Sequence, residues 1–192
     1  MSDRLVVAFA GHPGSGKTAA SEHAANNYGL DYYSPGELIR AEARAQGRRL
    51  DSRAAGMILL HEIEASRGSD FLANPILQGT GAMVVDGLRR MYELNLLRNA
   101  PDVRFRLVAI QTPIEDRHIW VVKNQNERSG RDSTDFETFQ ADTLAEARNS
   151  DPMEPSVVEV MEQADFTIYN SHGADLLTAV DEVIQRIKAE NS

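Results

Sequence analysis

The sequence predicts an α/β fold in which a five-stranded parallel sheet is covered by helices. Three observations predict it. Short apolar runs alternate with helix-compatible stretches along the whole chain. Most of those runs are nearly continuously apolar, as strands buried on both faces are, rather than alternating. The first run leads directly into the glycine-rich segment GHPGSGKT at residues 11–18.

Taken in order, the strands are LVVAFA (5–10), DYYS (31–34), AMVVD (82–86), FRLVAI (105–110) and DFTIYN (165–170). Helices are expected at 17–27, 35–47, 51–67, 89–98, 114–127, 135–148, 155–163 and 173–190. Turn-forming residues separate them: SPG at 34–36, RSG at 128–130, DPMEP at 151–155 and SHG at 171–173. In the last helix Leu176, Leu177, Val180, Val183, Ile184 and Ile187 recur at helical spacing, which marks a core-facing stripe.

At 192 residues the chain predicts one domain, 1–192, with room for a small inserted segment. Acidic residues outnumber basic ones 29 to 20, for a formal net charge of −9. That balance argues against an extended nucleic-acid surface or an anionic membrane as partner. Without cysteine there is no disulfide, thiolate metal site or cysteine nucleophile. The first strand is too short for a signal segment or a membrane span, so a cytoplasmic protein is expected. The five histidines are too scattered to suggest metal-ligand spacing.

The spacing Gly11-x-x-x-x-Gly16-Lys17-Thr18 is the P-loop pattern. On background frequencies its four fixed positions arise by chance in fewer than roughly one in a hundred chains of this length. A strand before it and a helix after it set the loop at a helix N-terminus, whose dipole favours an anion. The backbone amides from His12 through Pro13, Gly14, Ser15 and Gly16 to Thr18 are expected to cradle phosphates, proline apart, since it has no N–H. Gly11, Gly14 and Gly16 permit the tight turns. Lys17 is expected on the β- and γ-phosphates of ATP, and the Thr18 hydroxyl on Mg²⁺. The fold implied is the three-layer P-loop NTPase fold.

Two further segments place arginine shortly beyond a strand end, where ligands bind in an open parallel sheet: SPGELIR (34–40) and VVDGLRR (84–90). With GHPGSGKT, ERSGRDS and the terminal ADFTIYN, they make the chain resemble the adenylate kinase branch of the nucleoside monophosphate kinases, and especially archaeal adenylate-kinase-related proteins of undefined substrate. The resemblance spans nearly the whole chain. It implies a small-molecule nucleotide acceptor whose phosphate is held by Arg40 and Arg90, with Ser34, Gly36, Glu37 and Gly87 around it, and Asp86 supporting Mg²⁺. A guanidinium suits phosphate because its rigid fork matches the oxygens and stays charged. Ser34-Pro35-Gly36-Glu37 is also a helix-capping box with proline at the first helical position, and the two uses are compatible. Pro35 stands where the family commonly has a small hydroxyl residue, so AMP is not implied as the acceptor.

The resemblance further implies a helical acceptor flap at about 35–80 and a short lid at about 124–148. From the lid, Arg128 and Arg131 would reach the transferred phosphoryl group. Arg117 matches a position near the adenine ring or phosphates, whereas Trp120, in place of a further arginine, is expected to pack in the core. Asn170 is expected to shape the turn beside the donor adenine. Two other readings stay open. One is phosphorylation of a hydroxyl, as in dephospho-coenzyme A kinase, with Glu37 or Asp86 taking the proton. The other is an ATP-dependent switch that acts on a protein partner.

Overall fold

The computed structural model describes residues 3–124 and 133–190. Its centre is a five-stranded parallel sheet in the order β2-β3-β1-β4-β5. The strands are β1 (Arg4–Ala10), β2 (Asp31–Tyr33), β3 (Met83–Asp86), β4 (Val103–Gln111) and β5 (Phe166–Tyr169). Strand β1 pairs with β3 from Val6 opposite Met83 to Phe9 opposite Asp86, and with β4 from Arg4 opposite Val103 to Ala10 opposite Ala109. All five strands fall where the sequence predicts them. β4 runs longer than expected at both ends because Arg4 and Leu5 offer it partners at one end and β5 does at the other.

Residues 5–10 are apolar without alternation because β1 is buried on both faces. Leu5, Val7 and Phe9 face one core with helix α1 (Lys17–Tyr28) and helix α9 (Leu176–Ala189). Val6, Ala8 and Ala10 face the other, with α4 (Asn74–Gln78), α5 (Met91–Arg98) and α8 (Val157–Glu162). Most of the stripe expected on the last helix is core, with Val180, Ile184 and Ile187 wholly buried, but Leu177, at the start of the helix, is exposed.

Helices α2 (Pro35–Ala45) and α3 (Arg53–Arg67), a 3₁₀ turn at Ser69–Leu72 and α4 form the segment expected to be the flap. It has its own small core of Ala43, Leu59 and Ile63. Helices α6 (Ile114–Lys123) and α7 (Phe136–Ala145) follow β4. Several helices start later than the sequence suggests because a side chain caps them. Ser52 accepts from the Ala55 amide at 3.1 Å, Asp135 from Thr138 at 2.8 Å and Asp175 from Thr178 at 3.1 Å. No helix among the described residues is long and apolar enough to cross a membrane.

In this strand order the chain leaves β1 towards one edge of the sheet and leaves β3 towards the other. A crevice therefore opens beyond the carboxyl ends of β1 and β3, where the loops that follow them diverge. Residues 11–18 and 86–90 lie at that point.

Candidate active site

A cleft of about 1010 Å³ occupies the crevice and extends under the flap. The glycine-rich loop forms one end of it. Gly14 has φ 79° and Gly16 φ 96°, in the left-handed region. A Cβ on Gly14 would stand 2.7 Å from the Arg117 carbonyl oxygen, and one on Gly16 2.9 Å from the Asn170 amide nitrogen. Backbone conformation therefore requires glycine at both positions, and at Gly14 the backbone of Arg117 leaves no space for a side chain either.

The loop is fixed from behind. Asn170, buried at the end of β5, donates to the Ser15 carbonyl at 3.0 Å, and Thr112 donates to the same oxygen at 3.3 Å. Arg117 donates to the Pro13 carbonyl at 3.2 Å and lies over the Phe139 ring. Asn170 and Arg117 were expected around the donor nucleotide; in the structure both reach the loop and hold its carbonyls. The Ser15 hydroxyl and His12 Nδ1 are buried with no hydrogen-bond partner among the described residues. Burial, then the Arg117 and Lys17 charges, lowers the His12 pKa to about 4, so its ring is neutral near pH 7.

Lys17, almost fully buried, places Nζ 2.9 Å from the His12 carbonyl oxygen. Its side chain runs beside Gly87, where the left-handed backbone lets the β3 loop pass close by. Thr18 Oγ1 donates to Asp86 at 2.9 Å, bringing together the two residues expected around Mg²⁺. A hydroxyl and a carboxylate are hard oxygen donors and fit that ion, which keeps water and phosphate for its remaining positions. Tyr32, absent from the sequence-based site, donates its hydroxyl to the same Asp86 oxygen at 2.9 Å. Burial and then Asp86 push the Tyr32 pKa up, so the phenol stays a donor.

At the flap, Ser34 caps α2 by accepting from the Glu37 amide at 3.4 Å, and it also lines the cleft. Arg40 lies over Gly36 and donates Nε to Glu37 at 2.7 Å, so the capping segment and the expected phosphate ligand form one unit at the cleft wall.

Arg90 is paired within the protein. Its guanidinium is 3% exposed and is committed to Glu93 (2.8 and 3.0 Å), Glu64 (2.6 and 3.2 Å) and the Met153 carbonyl (3.0 Å). Arg90 lines the cleft, as expected from the sequence, and there its guanidinium braces α3, α5 and the loop before α8. The adjacent Arg89 is 38% exposed, lines the cleft and pairs with Glu146 at 3.2 Å. Arg90 is extended (φ −116°, ψ 143°) and bridges to Pro155, and both arginines line the cleft. A bare run of two arginines carries no signal for which of them is held by internal carboxylates.

Trp120 departs from expectation: it is only partly buried and lines the cleft with Lys123 and Asn124 instead of packing in the core. Arg128 and Arg131 lie outside the described residues. Arg53 and Glu146, which the sequence analysis did not single out, line the cleft as well. Neither stands in a recognisable motif, and they meet only through the fold, as an ion pair between the start of α3 and the end of α7.

Comparison with known proteins agrees with the fold and the loop. Residues 10–140 match the family model of the AAA domain. A UPF0200/UPF0201 protein of Archaeoglobus fulgidus is 31% identical over 175 residues, covering 86% of this chain and 50% of that one. The chain thus spans about half the length of that relative. A cytidylate kinase of Desulfurococcus amylolyticus is 33% identical over 81 residues, covering 42% of this chain and 43% of that one. Among solved structures, a putative kinase from Chloroflexus aurantiacus has a TM-score of 0.61 at 15% identity, covering 98% of each chain. Shikimate kinase from Acinetobacter baumannii has a TM-score of 0.59 at 17% identity, covering 99% of this chain and 95% of that one. At such identities the two structures speak for the fold alone. Together the loop, the sheet order and the relatives bear out the resemblance to P-loop kinases and support kinase-like phosphoryl transfer. The match over residues 10–140 shows that the chain belongs to the AAA domain family.

Proposed function

We propose that the protein transfers the γ-phosphoryl group of ATP, with Mg²⁺, to a nucleoside monophosphate or related nucleotide, with residues 1–192 working as one unit. One observation carries this reading: a single cleft joins a P-loop to a second wall bearing Arg40, Arg53 and Arg89. A nucleotide switch needs the first part, whereas a kinase with an anionic acceptor needs both.

The loop amides and Lys17 bind the donor phosphates, Lys17 exchanging the His12 carbonyl for phosphate oxygens. Thr18 and Asp86 would hold Mg²⁺, which when bound neutralises charge on the donor's terminal phosphates. Asp86, oriented by Tyr32, keeps a fixed carboxylate at the end of β3. Arg40, at the start of the flap, orients the acceptor's phosphate against the donor. An acceptor that is already a phosphate anion needs no side-chain base, so catalysis rests on position and on charge.

The test is ADP release from Mg²⁺-ATP across a panel of nucleoside and deoxynucleoside monophosphates and dephospho-coenzyme A, with product mass determined. Stoichiometric phosphorylation of one monophosphate, abolished by Lys17→Ala in a folded variant, is expected. Conversion of dephospho-coenzyme A alone would move the reading to hydroxyl phosphorylation. Acceptor-indifferent ADP release would move it to a switch.

A further inference from the structure

Three segments distant in sequence meet on the cleft wall beside Lys17. Arg53 is the first residue of α3, Arg89 lies between β3 and α5, and Glu146 caps the C-terminal end of α7. Arg53 Nη1 contacts both Glu146 oxygens, at 2.9 and 3.0 Å, and Arg89 Nη1 contacts one of them at 3.2 Å. The Glu146 side chain is only 12% exposed. A buried carboxylate is costly unless paired, and two guanidiniums pair this one.

Glu146 is poorly placed with respect to its own helix. A carboxylate at a helix C-terminus faces the negative end of the helix dipole. Burial also disfavours its charge, and it is Arg89, then Arg53, and further off Lys17, that bring its pKa below the ordinary range. Its backbone is anchored separately: the Glu146 carbonyl accepts from the Val157 amide at 3.0 Å and the Ala147 carbonyl from Val158 at 2.9 Å. The side chain can therefore leave the arginines by rotation, without moving the chain.

A carboxylate held by two guanidiniums within the field of the P-loop lysine occupies a position suited to phosphate, which offers an additional oxygen and more charge. We propose that Arg53 and Arg89 form an anion site for the acceptor's phosphate, and that Glu146 is its resident occupant, exchanged when that phosphate binds. This rests on the kinase reading and deepens it. Glu146 keeps two arginines ordered and neutralised while the site waits, at the expense of affinity. It also disfavours anions that cannot displace it, so it acts on acceptor specificity. Glu146 is a positioning residue, whereas the two arginines touch the acceptor.

The experiment is calorimetric titration of inorganic phosphate into the protein saturated with ADP and Mg²⁺, at constant ionic strength. Because ADP leaves the γ-phosphate position open, the titration is repeated with a non-hydrolysable ATP analogue in place of ADP, which fills that position and leaves only the second site to the probe. Glu146→Gln keeps shape and removes the competing charge, and it should tighten phosphate binding by about tenfold. Arg53→Met and Arg89→Met should each weaken it by about tenfold or more. In the Glu146→Gln background the loss caused by Arg89→Met should be larger than in the wild type, because the Glu146 charge no longer competes with phosphate for it. Phosphate binding unchanged or weakened in Glu146→Gln overturns the proposal. If that variant does not fold, phosphate affinity unchanged in both arginine variants overturns it equally. The two readings separate cleanly: the expected phosphate pattern without phosphorylation of any monophosphate would sink the kinase reading and leave the anion site. The converse would sink only the exchange.

Discussion

Replacing Arg90 by methionine distinguishes a brace from a ligand. The guanidinium, Glu64 and Glu93 are all less than a tenth exposed, so the substitution leaves two carboxylates buried side by side without their shared cation. Removing one partner of such a cluster costs about 3–5 kcal/mol. For a chain of this size each kcal/mol moves the melting temperature by about 2–4 °C, so the drop should be roughly 10 °C. The pH dependence sharpens the test. Burial already pushes the Glu93 pKa up against the pull of Arg90, and without Arg90 it rises further. A carboxyl whose folded pKa lies above its unfolded value contributes stability at low pH that is lost as pH rises through the folded pKa. The deficit of the variant should therefore be smallest near pH 5 and largest near pH 8. Urea unfolding of both proteins across that range is the assay. A variant as stable as the wild type at every pH, but with acceptor affinity lost, would refute the reasoning and return Arg90 to the acceptor phosphate.

Tyr32→Phe removes one of the two hydrogen bonds to the Asp86 oxygen and should raise the Mg²⁺ concentration needed for half-maximal nucleotide binding about fivefold, a loss of about 1 kcal/mol. An unchanged Mg²⁺ dependence, read from thermal shift with ATP, would remove Tyr32 from the site. Trp120 is the chain's sole tryptophan and lines the cleft, so ATP should change its fluorescence intensity or maximum. A spectrum indifferent to saturating ATP would place the nucleotide away from α6. Unfolded His12 takes up a proton near pH 6.5, whereas burial, Arg117 and Lys17 delay this to about pH 4 in the fold. Stability should then be lost as pH falls from 6.5 towards 4, by about 2–3 kcal/mol from this residue. His12→Asn should flatten that part of the curve, and an identical slope in the variant would show that His12 is not its cause.

Much of the architecture was legible in the order of residues because parallel strands buried on both faces leave continuous apolar runs, and helices leave their own spacing. The P-loop was legible for a related reason. Its function depends on local backbone conformation, and glycine, lysine and threonine at fixed spacing encode that conformation within eight residues. The expectation that Asp86 joins Thr18 came from the family resemblance, and the structure brings the two within a hydrogen bond because β1, which leads into the P-loop, pairs with β3. The Ser34 cap was legible for the same local reason, whereas the role expected of Arg40 came from the family resemblance.

Tertiary structure decided the remainder. VVDGLRR fixes that arginines follow β3, but only the carboxylates of α3 and α5 determine that Arg90 is held in a buried ion-pair cluster while Arg89 stays more exposed. Trp120 reads as a core residue from its composition alone, yet the fold turns it to the cleft wall. Arg53, Glu146 and Tyr32 belong to no motif, because their meeting depends on contacts across 93 residues in one case and 54 in another. Local sequence determines conformation and charge. Which charges neutralise one another, and which are left for a ligand, depends on chain segments that meet only once the sheet and its helices have packed.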